Sequence, residues 1–206
     1  MNQRDPVYKV YEYEPVVDLG LSVKWAGCNL GSGSPEETGD YYAWGEVGGT
    51  KKRLYNWETY RWCKDAYDTQ TKYNTKYEFG VVDYKIQLEK SDDAAFMQLG
   101  GKWRIPTVQE WFELFEKCIW RLATMNGVIG YMVTSRINNN SIFLPFSGFR
   151  YKDSIGDVGK FGFYWSSSLD PHDPDRAWSA DLSADNYIMF AIMRYRGYSV
   201  RPVMDY

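Results

Sequence analysis

Gly101-Lys102-Trp103-Arg104-Ile105-Pro106-Thr107-Val108-Gln109-Glu110-Trp111 is the stretch on which the fold of this 206-residue chain turns. Thr107 and Glu110 stand at capping-box spacing directly after Pro106. The threonine hydroxyl can accept the amide of Glu110 while the glutamate side chain accepts the amide of Thr107. A helix therefore starts here. Trp111, Leu114, Phe115 and Cys118 follow at i, i+3, i+4 and i+7 as one apolar stripe, and Glu113, Glu116 and Lys117 are expected to face water.

Working back from this helix, Ser91 is placed to cap a short helix over Asp92 to Leu99, with the two aspartates meeting its positive end and Gly100-Gly101 stopping it. Working forward, β-type runs cover Tyr131 to Ser135, Ser141 to Phe146, Gly162 to Ser167, Ala177 to Ser183, Tyr187 to Tyr195 and Tyr198 to Val203. Asn138-Asn139-Asn140 marks a turn between two of them. Two helices followed by a strand-rich half indicate α+β, not alternating βαβ units.

Nearer the N-terminus, Val16 to Leu30 reads as two short strands around a turn and Gly31 to Gly39 as a loop. Tyr41-Tyr42-Ala43-Trp44-Gly45-Glu46 is a compact aromatic cluster. Gly48 to Lys90 carries no sustained periodicity and reads as long loops. Met1 to Glu14 is polar with Tyr8, Val10, Tyr11 and Tyr13 interspersed, which suits an edge strand or the end of a linker. The expected division is a tail or edge strand over 1–15 and one domain over 16–206, a length at which roughly 70% of the unfolded surface is buried.

A formal charge of −3 gives no electrostatic reason to expect nucleic acid as a partner. No apolar run approaches membrane-spanning length, so no membrane insertion is expected. The N-terminus has no apolar stretch behind a basic start, so no signal peptide is visible in this chain. Cys28, Cys63 and Cys118 stand far apart and are expected to be buried thiols, with one disulfide as the other reading. The 18 Tyr and 9 Trp suit both a core margin and an exposed binding face, since each combines a large apolar body with a polar end.

The supply of catalytic chemistry is thin. His172 is the only histidine, within Leu169-Asp170-Pro171-His172-Asp173-Pro174-Asp175, where two prolines and three aspartates suggest an exposed rigid loop. An enzyme or a divalent-metal site would have to draw on His172, Asp170 and Asp173. That run lacks the alternating ligands, central glycine and closing glutamate of a calcium loop. Gly45 and Gly48-Gly49 lack the Lys and Ser or Thr of a phosphate loop. Asp92 with Asp93, and Glu36 with Glu37, read as solvated helix or loop faces. The expectation is a non-catalytic domain that needs no cofactor.

Residues 101–111 also resemble a signature shared by formylglycine-generating-enzyme-like domains and their C-type-lectin-fold relatives. Val17-Asp18-Leu19-Gly20-Leu21-Ser22-Val23-Lys24-Trp25-Ala26, Gly39 to Glu46, Ser141-Ile142-Phe143-Leu144-Pro145, Tyr164-Trp165-Ser166-Ser167-Ser168 and Gly197-Tyr198-Ser199-Val200-Arg201-Pro202-Val203 are similar to the Fibrobacter/Bacteroidetes major paralogous domain. The resemblance implies a C-type-lectin-like fold: small antiparallel sheets with two helices and long loops, and a closing strand Ser199 to Val203 beside an opening strand near Leu21 to Trp25. Formylglycine-generating enzymes depend on C-terminal cysteines, and none follows Cys118 here, so that activity is not implied. The sugar-binding motifs of calcium-dependent lectins are missing at matching places as well.

The C-terminal part further resembles the variable proteins of diversity-generating retroelements, found in phage tails and on bacterial surfaces, which place a hypervariable segment near the C-terminus of this fold. Ala177, Leu182, Arg194, Gly197 and Ser199 to Val203 read as framework. Asp170, His172, Asp173, Asp175, Arg176, Ser179, Asp181, Asp185, Tyr187, Phe190, Ile192 and Arg196 form the irregular set that would lie on one face. Trp178, Tyr187, Phe190, Arg194 and Arg196 are the residues expected to grip a protein or glycan on a cell surface. The location implied is extracellular, on a bacterial surface or a phage virion. The other readings are a structural adhesin or pilus-associated protein, in which the Tyr-rich N-terminal segment pairs with a neighbouring subunit as a homo-oligomer, and a divergent formylglycine-generating-enzyme-like enzyme.

Overall fold

The capping box closes as its spacing requires: the Thr107 hydroxyl accepts from Glu110 N at 3.2 Å, and the Glu110 carboxylate accepts from Thr107 N at 2.7 Å. The computed structural model describes residues 15–49 and 54–206, so the expectation for Met1 to Glu14 lies outside the described residues. Helix α2 (Val108–Lys117) carries Trp111 and Leu114 fully buried. Phe115 packs at the core's edge, whereas Glu113 is partly covered and accepts from Ser22.

Cys118 continues the apolar stripe but is not helical. It opens β4 (Cys118–Met125), which follows α2 without a loop because the backbone at Cys118 turns to φ −112°, ψ 163°. The preceding helix α1 (Ala94–Leu99) also differs from expectation. Its N-cap is Asp93 and not Ser91, because the Asp93 carboxylate accepts from Ala95 N, Phe96 N and, across the chain, Ile105 N. Residues Lys90–Asp92 form a separate 3-10 turn. Asp92 and Asp93 are therefore buried rather than solvated; Asp92 accepts from Lys72 Nζ and from the Tyr73 hydroxyl, both at 2.5 Å. Gly100 ends α1 at φ +69°, a conformation that favours glycine.

Four small antiparallel sheets make the rest, giving an α+β architecture. β1 (Val16–Val17), β2 (Lys24–Ala26), β3 (Trp103–Arg104) and β12 (Val203–Met204) form one sheet in the order β1-β2-β12-β3, so the two ends of the described chain meet with Val203 opposite Trp25. β4, β5 (Val128–Ser135) and β6 (Ser141–Pro145) form a second, with Asn139 at φ +63° in the turn between β5 and β6. β7 (Phe149–Tyr151) pairs with β8 (Ser154–Gly156). The sheet β11-β10-β9 comprises β9 (Phe161–Leu169), β10 (Arg176–Ser183) and β11 (Tyr187–Met193).

The run from Tyr198 to Val203 is not the continuous strand its composition suggests. Tyr198 bridges Tyr42, Ser199 bridges Tyr164, and only Val203–Met204 joins a ladder, because Pro202 has no amide to donate and each residue meets a different neighbour. Likewise β11 stops at Met193, where Arg194 turns its amide to Asp175 O.

One core cluster joins Trp25, Trp111, Leu114, Tyr131, Tyr164 and Leu182; a second joins Tyr42, Trp44, Tyr73, Trp165 and Tyr198. The aromatic cluster at 41–46 is thus interior. The stretch over 54–90 does run as loops with short 3-10 turns, but Tyr55, Gln70, Tyr73 and Asn74 within it are buried. Cys28, Cys63 and Cys118 are buried free thiols, and burial pushes those of Cys63 and Cys118 up to about 11.

Candidate functional site

Register in the β9–β11 sheet sorts its side chains onto two faces, since successive residues of a strand point to opposite sides. Ala180 pairs with Tyr164 and Met189, and Leu182 with Gly162 and Tyr187. These lie on the inner face, where α2 packs across the sheet and Ala180, Leu182 and Tyr164 join the first core. On the other face Ser179 pairs with Trp165 and Phe190, and Asp181 with Phe163 and Ile188.

That outer face is covered at one end and open at the other. Tyr198 stacks on Trp165 (4.6 Å between centroids, 28°) and on Phe163 (5.0 Å, 23°), and Phe163 in turn stacks on Phe161 (5.9 Å, 26°). Phe149 meets Phe163 edge-on at 5.6 Å, and the Arg196 guanidinium lies over Phe149 at 5.3 Å and Tyr151 at 4.2 Å. From the last ring of this stack outward the face is exposed: Phe161 by 39%, Ile188 by 44% and Phe190 by 46%. A cleft of about 210 Å³ opens there between Phe161, Phe163, Asp181, Ser183, Asn186 and Ile188.

Asp181 forms the polar floor of this cleft. Its Oδ1 accepts from the Ser179 hydroxyl at 2.6 Å, and that hydroxyl also lies 3.1 Å from Phe190 O. Burial pushes its carboxyl up to about 7, only partly offset by the Ser179 bond. Among the described residues no cation is paired with it. A larger cavity of about 350 Å³ between α1 and β3 is different: its Arg104 is paired with Glu110 and Asp205.

Ionising a desolvated acid works against the fold. Because the folded value for Asp181 lies above the ordinary 3.8, its contribution is most favourable below about pH 4 and is lost as pH rises towards 7. Asp181→Asn keeps an acceptor for Ser179 and removes the charge. It is expected to stabilise the fold by about 2 kcal/mol at pH 8 and to change little at pH 4, a difference read by urea unfolding at the two pH values. Equal effects at both would show that this carboxyl is not held out of water.

The structure divides the sequence-derived site residues. Ser179, Asp181, Phe190 and Ile192 share the outer face, although Ser179 is fully covered and Ile192 packs on the second core. Arg196 adjoins them through Phe149. Trp178 has the register of the inner face, and Tyr187 is turned there too, stacked on Trp120 at 4.5 Å. Arg194 is wholly buried and donates to the Tyr60 hydroxyl and to the carbonyls of Lys72, Tyr73 and Pro174.

Asp170 is 8% exposed and accepts from His172 N, holding the 170–175 turn. His172 and Asp173 project from that turn, Asp175 and Arg176 are half-buried, and Asp185 stands at the exposed β10–β11 hairpin tip. Among the described residues no three His, Cys, Asp or Glu side chains gather as a metal site. Phe161, Phe163 and Ile188 join the site without standing among the residues expected from sequence. Their signal was the alternation Phe161, Phe163, Trp165, which places three rings on one side of a strand.

Fold and site together define an α+β protein of small antiparallel sheets whose C-terminal strands present an aromatic face around one partly buried carboxylate. Comparison with protein-family models, curated proteins and solved structures found no match for this chain. No helix among the described residues is long and apolar enough to cross a membrane.

Proposed function

We propose that this chain is a non-catalytic recognition domain of C-type-lectin-like fold that binds a protein or glycan on a cell surface through the outer face of β9–β11, displayed on a bacterium or a phage tail. The observation that carries this reading is the joint exposure of Phe161 and Ile188 at a cleft with a polar floor, with Phe190 exposed beside Ile188 on the same face of β11. Contiguous exposed apolar side chains with a few polar groups among them are a mark of interaction surfaces. The joining of β12 to β2 and the pair of helices support the fold assignment. The buried framework behind the face would let its side chains vary without refolding.

Phe190 is half-exposed, so Phe190→Ala is expected to change folding stability by less than about 1 kcal/mol. Loss of a central aromatic contact would weaken binding to bacterial cells or extracted surface material by about 2 kcal/mol, roughly thirtyfold, with or without chelator. Saturable binding that survives Phe190→Ala together with Phe161→Ala would sink the assignment.

A second reading, a structural adhesin subunit, draws on β11. This outermost strand, Tyr187–Met193, contains neither a charged residue nor a proline, the devices that usually block strand addition at a sheet edge. It predicts concentration-dependent association in sedimentation experiments.

A further inference from the structure

The outer face is asymmetric in charge, and that asymmetry selects a ligand. β9 and β11 contain no charged residue, so Asp181 is the sole formal charge facing the cleft from the three strands. Its Oδ1 is taken by Ser179, and no hydrogen bond to Oδ2 forms among the described residues. We propose that the cleft between Phe161, Phe163, Asp181 and Ile188 receives the side chain of a lysine presented by a partner protein, an inference that rests on reading this face as a recognition surface.

Three features favour lysine. One available carboxylate oxygen suits a point charge, whereas a guanidinium fork seeks two oxygens side by side. The stacked rings of Phe161 and Phe163, with Ile188 opposite, match a methylene stem that ends in a cation attracted to ring faces. The volume of about 210 Å³ is smaller than the roughly 300–1,000 Å³ of sites that enclose whole small molecules, and it fits one side chain. A bound ammonium also supplies the counter-charge that this partly buried acid lacks.

The proton linkage has a definite sign. The neighbouring titratable groups do not supply it: Tyr164 and Tyr187 lie on the inner face, and Lys160 and Asp185 are exposed beyond the strand ends. Tyr198, stacked on Phe163, feels the Asp181 charge and is itself pushed up by burial, so it stays neutral across this range; Arg196 lies over Phe149. Ammonium binding therefore requires Asp181 to lose its proton, and affinity falls on acidification.

The test is a titration of the chain with n-butylammonium, the lysine side-chain analogue, followed by NMR of the Phe161 and Phe163 rings, with uncharged butyramide and with glucosamine as parallel arms. Peptides carrying Lys or Gln at one position complete the set. Ring shifts with n-butylammonium, preference for the Lys peptide, affinity about thirtyfold lower at pH 5.5 than at pH 8, and at least tenfold loss in Asp181→Asn are expected. Equal binding of butyramide, tighter binding in acid, preference for glucosamine over the Lys peptide, or unchanged affinity in Asp181→Asn would overturn the proposal. Surface binding that depends on Phe190 but shows no ammonium preference would remove only this inference. Ammonium binding by a chain with no surface partner would instead remove the recognition reading.

Discussion

Arg194→Met is expected to lower folding stability by about 3–5 kcal/mol, because it strips a buried hydrogen-bond hub and leaves its acceptors without partners. The guanidinium reaches Tyr60 Oη at 2.9 Å, Tyr73 O at 3.0 Å, Pro174 O at 2.8 Å and Lys72 O at 3.0 Å, and it lies 5.0 Å from the centre of the Trp44 ring. Methionine fills part of the volume but donates nothing, so the carbonyls of Lys72, Tyr73 and Pro174 would lose their donor and the Tyr60 hydroxyl would keep only its own bond to Trp44 O. Lysine would not rescue the fold, since one ammonium cannot span four acceptors arranged around a planar fork. Chemical unfolding of the two variants checks this. A loss under about 1 kcal/mol would return Arg194 to the list of side chains available to a ligand.

Trp111→Ala is expected to cost about 3–5 kcal/mol through the cavity it leaves and the ring contacts it removes. Trp111 is fully buried on the inner side of α2, edge-on to Trp25 at 4.9 Å and tilted against Tyr164 at 5.8 Å. Those rings belong to β2 and β9, so the residue joins the β1-β2-β12-β3 sheet to the β9–β11 sheet, whose outer face is the proposed binding face. Thermal unfolding with near-ultraviolet circular dichroism reads both the stability and the loss of ring asymmetry. Near-native stability would mean that α2 is not the keystone of this core. If the variant folds with an unchanged outer face, n-butylammonium binding should persist, because Trp111 and the cleft lie on opposite sides of the β9–β11 sheet.

Local sequence signals fail to fix the structure where distant residues compete for the same local role. Ser91, Asp92 and Asp93 are all competent caps by residue type, and the choice of Asp93 is made by Ile105 N, twelve positions away. Cys118 satisfies the helical period, yet strand pairing with Ser135 takes it into β4. Arg194 looked like a contact residue because arginine is common at binding hot spots; its environment comes from the 54–90 loops, whose polar composition gave no sign that they wrap a buried cation. Periodicity could place Phe190 and Asp181 on faces of their own strands, but not on the same face as Phe161 and Phe163.

What the residues determined locally is clear. The Thr107–Glu110 box started α2, β-type runs marked β5, β6, β9, β10 and β11, and the α+β class followed from their order, because caps and strand-forming composition act within a few residues. Tertiary structure decided the rest. The β9–β10–β11 register, with its irregularity between Ala177 and Ser179, brought the β9 rings of Phe161 and Phe163, Asp181 of β10 and Ile188 of β11 around one cleft. Such a site exists only when side chains far apart in the chain share a water-poor space, and the same desolvation that raises the Asp181 carboxyl has no counterpart in the chain before it folds.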